Sequence, residues 1–332
     1  MTTRIWVLAV LVLAQSVMGA GVCDCPDREC GYAPIGVMGD HTHPAGSAML
    51  SYRYMRMEMN GNRDGTDRLS ATDVLADFMV TPLEMSMEMH MLGAMWAPSD
   101  RVTLMVMQPY AAIEMDHRNR MGATFTTASS GLGDLKVAAL INLFGCCGQH
   151  VHLHAGIGVP TGSIDETGDT PMGHVRLPYP MQLGSGTFDL YPGVTYHGKT
   201  DSLSWGGQVL GTIRLVENDN DYRLGDRVNA TAWGGYRCGR SWTTSLRLNV
   251  ARWGNIDGAD PELAPAMVPT ADPDRRGGTR ADLGLGAAFA TQNGLLAGQR
   301  FAVEYSRPLY QDLDGPQLET DEILTLGWQG VW

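Results

Sequence analysis

The chain has 332 residues, 41 of them Gly, with 18% charged residues and a formal net charge of -12 at neutral pH. An acidic chain with no basic stripe has nothing to meet a phosphate backbone, which excludes nucleic acid as a partner. Outside residues 1–20 no run of about 18 apolar residues occurs, so no transmembrane helix is available, and a mean hydropathy of -0.13 is too polar for a helical membrane protein.

Residues 1–20 read as an export signal. Arg4 supplies the positive start, Ile5 to Ala14 the apolar core, and Val17, Met18, Gly19 and Ala20 the small-residue cleavage region. Export implies an oxidising compartment. Residues 21–46 show neither helix nor strand periodicity and carry Cys23, Cys25, Cys30, His41 and His43. They are expected to form a periplasmic segment, as an arm or a small plug. Val22 precedes Cys23 where a lipoprotein site wants Gly or Ala, which argues against lipidation.

From Ser47 the chain alternates. Segment 47–59 places Ala48, Leu50, Tyr52 and Tyr54 on one face, and Ser51, Arg53, Met55, Met57 and Met59 on the other. Segment 83–96 sets Met85, Met87, Met89, Met91 and Met95 against Glu84, Ser86, Glu88 and His90. With the acids opposite, its Met face is expected to meet lipid. Further segments lie at 101–115, 132–144, 150–160, 186–197, 202–215, 227–237, 241–253, 279–290, 299–309 and 319–332. In one of them His150, His152 and His154 oppose Val151, Leu153 and Ala155. In another Arg247 and Asn249 oppose Leu246, Leu248 and Val250. The last carries Leu324, Leu326, Trp328 and Trp332 on one face and Thr325, Gly327, Gln329 and Val331 on the other. It reads as a closing strand that pairs with 47–59 and removes both sheet edges.

Connections alternate long (near 60–82, 116–131, 161–185, 216–226, 254–278 and 310–318) and short (near 97–100, 145–149, 198–201, 238–240 and 291–298). Outer-membrane barrels have short periplasmic turns and longer outside loops, whereas a soluble sandwich has no reason for this rhythm. The predicted fold is all-β: a single 12-stranded antiparallel transmembrane barrel over 47–332, in the bacterial outer membrane.

Inward polar groups expected to line the lumen are Arg53, Glu84, Glu88, His90, His150, His152, His154 and Arg247. A soft-metal site is the other candidate, drawing on Cys23, Cys25, Cys30, His41, His43, Met55, Met57 and Met59, because thiolates and thioethers suit Cu(I). The plainer reading makes the cysteines, with Cys146, Cys147 and Cys238, disulfides of the barrel rim, and the methionines flexible packing. No Gly-x-Ser-x-Gly or His-Glu-x-x-His occurs, so an enzyme is not expected and no cofactor is implied unless it is copper.

The stretches Pro34 to His43, Ser51 to Met55, Leu177 to Gly186 and Asp314 to Thr320 resemble a group of outer-membrane transporter barrels, similar to the family linked to the meta-cleavage pathway of phenol degradation. The resemblance implies a barrel and the passage of a small molecule, with no catalytic residues to carry over. Three functions stay open: a passive channel for a small solute, surrounded by lipid and lipopolysaccharide; an outer-membrane protein binding copper or another soft metal; or a mainly structural or adhesive barrel whose loops 161–185 and 254–278 carry the function.

Overall fold

The computed structural model describes residues 33–146, 148–292 and 297–332. The export signal, Cys23, Cys25, Cys30 and Cys147 lie outside the described residues.

Eleven strand elements form the wall: β1 (Ala48–Gly65), β2 (Val80–Ser99), β3 (Val102–Asn119), β4 (Leu135–Cys146), β5 (Gln149–Val159), β6 (Asp189–Lys199), β7 (Leu203–Arg214), β8 (Arg227–Cys238), β9 (Trp242–Trp253), β10 (Gly278–Ala290) and β11 (Gln299–Val331). Each pairs antiparallel with its chain neighbours, and β11 returns to β1, so the sheet is a closed barrel with no free edge. The closing register runs Met49↔Val331, Tyr52↔Trp328 and Arg56↔Leu324, the pairing that the alternation of the last stretch predicts.

The expectation of twelve strands separates 299–309 from 319–332. Here the two are one element of 33 residues whose ends meet: Val331 N–H reaches Gly298 O at 3.3 Å, and Arg300 Nη1 reaches Gln329 Oε1 at 2.6 Å. Its first arm pairs with β10 and its second with β1, so the expected long loop at 310–318 lies inside a strand element. The connection after β3 likewise holds a strand, Thr124–Leu132, paired back on β3. Between β1 and β2 sits the helix Ala71–Asp77, started by a capping box in which Ser70 and Asp73 satisfy each other's backbone N–H groups. The remaining long and short connections alternate as expected, giving the barrel a loop end and a turn end.

The barrel is inside-out relative to a soluble protein. Leu92 and Leu285 are 64% and 62% exposed on the outer face, and Leu50, Val209, Leu246 and Leu326 are exposed with them. Polar groups are buried inside: Arg53, His152, Asp282 and Glu304 all sit below 10% exposure. The interior also has two unlike arcs. On β1 to β3 the inward residues are mainly methionine, and on β5 to β11 they are mainly basic, amide and hydroxyl groups.

Two segments fill the interior. Residues 33–46 run through the turn-end half. From the loop end, Leu177 and Met181 descend into a cluster with Met59, Met85, Ile113 and Met115.

Candidate functional site

Residues 33–46 belong to no helix or sheet ladder, so their buried carbonyls need other donors. The wall supplies them from four strands. Arg300 Nη2 donates to Ala33 O (2.6 Å), Arg53 Nη2 to Val37 O (3.2 Å), Gln208 Nε2 to Met38 O (2.9 Å) and His152 Nε2 to Gly39 O (2.9 Å). Apolar contacts complete the seat. Ala33 and Val37 pack on Trp233 of β8, and Ile35 lies over Gly327, where the missing side chain makes room for it. The segment is therefore a plug, held through main-chain carbonyls from around the ring.

Charge is concentrated around the plug. Arg247 donates to Glu304 through Nε (2.9 Å) and Nη2 (2.6 Å), and Gly36 passes directly over this pair. Asp40 is buried beside His41 at 2.9 Å. Burial alone would raise its carboxyl, but His41, Arg300 and Arg53 outweigh that and hold it well below the usual carboxylate range. His43 donates its backbone N–H to Thr103 Oγ1 at 2.9 Å. Burial of its ring pushes its pKa down to about 4, with His41 adding to the effect, so it is neutral at physiological pH. Nearer the loop end the interior continues as the pairs Arg214–Asp189 and Arg280–Asp282 and the contact Thr231–Asn249.

Arg53, His150, His152, His154 and Arg247 face the interior. Arg53 and His152 bind the plug, His154 bonds Thr195 at 2.8 Å, and His150 lies near His197, with ring centroids 6.3 Å apart. Glu84, Glu88 and His90 do not line the lumen. They lie on the outer face, where His90 Nδ1 meets Tyr52 OH at 2.8 Å and Arg56 reaches Glu88 at 3.5 Å. The reason is register. Met55, Met57 and Met59 pair directly with Met89, Met87 and Met85, and directly opposed residues of an antiparallel pair share a face. Once the Met face of β1 points inward, that of β2 must follow, and the acids go out. The expected lipid-facing Met surface is thus interior packing.

Of the candidate metal ligands within the described residues, Met57 and Met59 pack into the cluster around Met115, and His41 and His43 stand edge-on with centroids 4.8 Å apart. Among the described residues no three His, Cys, Asp or Glu converge to hold a metal ion. Cys238 is a free, exposed thiol.

Sequence reading missed Asp40, Gln208, Arg300 and Glu304. The signal for Glu304 was present, since Glu304 and Ser306 alternate with Val303 and Tyr305. For Gln208 no signal existed, because it becomes functional only where the plug passes it.

The family model described as "Putative MetA-pathway of phenol degradation" matches residues 87–297. The chain belongs to that family. The family match takes in most of β2 and runs through β10, and it leaves out the plug and the closing element β11. No curated protein matches the chain. Among solved structures, this member of the phenol-degradation family is similar to an outer-membrane channel from Pseudomonas putida F1, at 12% identity and a TM-score of 0.61 over 89% of this chain and 98% of that one. It is also similar to the transport unit of the autotransporter AIDA-I from Escherichia coli, at 10% identity and a TM-score of 0.50 over 89% and 93% of the two chains. At these identities the likeness is one of fold.

Proposed function

We propose that the protein is a passive channel for a small solute in the bacterial outer membrane, its wall crossing twelve times when the two arms of β11 are counted separately. The observation that carries this reading is the inside-out barrel: aliphatic side chains exposed all round the outer face, and buried charge within. Soluble monomers rarely expose a continuous apolar band, and lipid is the medium that would cover one. An even number of crossings puts both chain ends on one side. The short turns then face the periplasm, and the long loops face outward toward lipopolysaccharide.

Among the described residues, Arg300, Arg53, Gln208 and His152 of the interior wall bind the plug. This supports passage, with the plug setting how wide the path is. Planar-bilayer conductance or liposome swelling with the full refolded chain tests the reading. Stepwise conductance at millimolar solute is the expected result. A barrel that inserts and passes nothing, with the plug in place or removed, overturns it.

A further inference from the structure

We propose that the turn end of the lumen holds a binding site for one soft monovalent cation, Cu(I) or Ag(I), with the imidazoles of His41 and His43 and the thioethers of Met49, Met95 and Met105 as its ligand set. The site is independent of the channel reading.

The three methionines form one row across the wall. Met49 pairs with Met95, and Met95 with Met105, so their side chains leave three adjacent strands at one level and on one face. All three are buried, and all three line a small cavity whose other wall is plug residues Gly39, Asp40 and His41. Wall thioethers and a plug imidazole therefore border the same space.

The two imidazoles are prepared as ligands in different ways. His41 Nδ1 is held by Asp40 Oδ1 at 2.9 Å, which leaves Nε2 as its ligating atom. A carboxylate behind an imidazole is the usual support of a metal-bound histidine. His43 is 4% exposed, and its Nε2 is buried without a hydrogen-bond partner. A buried polar atom left unpaired is costly, and a metal bond would satisfy it. The ring centroids are 4.8 Å apart and edge-on, so His43 stands behind His41 and next to the cavity that His41 lines.

The donor set selects the cation. Thioethers bind soft d10 ions and hold hard or borderline dications poorly. Carboxylate and thiolate ligands for a dication do not converge here among the described residues. Arg53 and Asp40 both border the same cavity, so a cation there meets one basic and one acidic side chain, which suits a single added positive charge better than two.

Methionine is also a good apolar filler, and Met91, Met107 and Leu140 pack beside this row. Leucine fills the same volume without sulfur, which separates the two roles. The test is calorimetric titration of Ag(I), in chloride-free buffer at neutral pH, into the full refolded barrel with its cysteines alkylated. One equivalent is expected to bind. The Met95→Leu/Met105→Leu and His41→Phe/His43→Phe variants should each bind at least about tenfold more weakly, and Asp40→Asn should also weaken binding about tenfold. X-ray absorption of the silver complex should show both sulfur and nitrogen neighbours. Absence of binding, equal binding by the leucine variant, or Zn(II) bound as tightly as Ag(I) would overturn the proposal. Variants that keep the heat-modifiable gel shift of the folded barrel count as folded. Their conductance, measured alongside, separates loss of this site from failure of the channel reading.

Discussion

Arg247 on β9 grips Glu304 on β11 with two nitrogens on one oxygen, and Glu304 is 1% exposed. The pair ties two wall strands that are separated by β10 and forms the floor on which the plug lies at Gly36. Removing one partner of a buried ion pair strands the other charge. Arg247→Met should therefore destabilise the barrel by on the order of 3 kcal/mol, read as a lower urea midpoint in detergent. Glu304→Gln leaves a neutral group that still accepts from Arg247 and should cost less. Equal losses for the two variants would show that packing, not charge, sets the effect.

The plug depends on glycine where it crosses that pair. A side chain at Gly36 would begin 2.4 Å from Glu304 Oε1 and 2.6 Å from Arg247 Nη2. Both atoms belong to the buried ion pair, so making room for a side chain displaces the pair or the plug. Gly36→Val is expected to unseat the plug and raise single-channel conductance, with wall stability unchanged. Unchanged conductance would mean that the plug does not limit the path.

Acid should loosen the plug. With the His43 pKa at about 4 in its docked position against an ordinary value of 6.5, docking favours the neutral ring. This contribution is fully present above pH 6.5 and is lost as pH falls toward 4. At pH 5 the loss is about 2 kcal/mol. Asp40 remains ionised across this window, because its carboxyl is held well below the usual range. Conductance at pH 5 should exceed that at pH 7.5, and His43→Phe should reduce the difference.

The outer face can be tested by charge. Leu285 is exposed on the outer wall. If lipid covers it near mid-bilayer, Leu285→Arg should cost about 2–4 kcal/mol of folding free energy in vesicles. Glu88→Gln, also on the outer face but already polar, should change it little. A harmless Leu285→Arg would remove the membrane reading of that surface.

Two long loops meet at Arg176. Its guanidinium, mostly buried, pairs with Asp165, with Glu262 at 3.2 Å and with Asp260 at 3.8 Å, joining the two long connections 160–188 and 254–277. Asn220 and Arg176 hold the Asp165 carboxyl below its ordinary pKa, so its part of this link is complete at neutral pH and weakens only as that carboxylate protonates. Arg176→Ala should make these loops more sensitive to protease at pH 7 while leaving the wall resistant.

Much of this was legible in advance. Period-2 alternation located the strands, and the rhythm of long and short connections announced a closed antiparallel barrel. The polar faces around His150 to His154 and Arg247 read as inward in the sequence because aliphatic residues oppose them. The same logic failed at Glu84, Glu88 and His90. Methionine opposes them, and methionine serves equally well against lipid, plug or loop.

The sequence by itself determined which residues share a face, since that follows from the geometry of an extended chain. Only the tertiary structure decided which face of β2 is the inside, because the pairing with β1 had to be known first. Only the closed ring could bring residues 33–46 against Arg53, His152, Gln208 and Arg300, which lie far apart in the chain. Local periodicity carries no information about contacts made across a lumen.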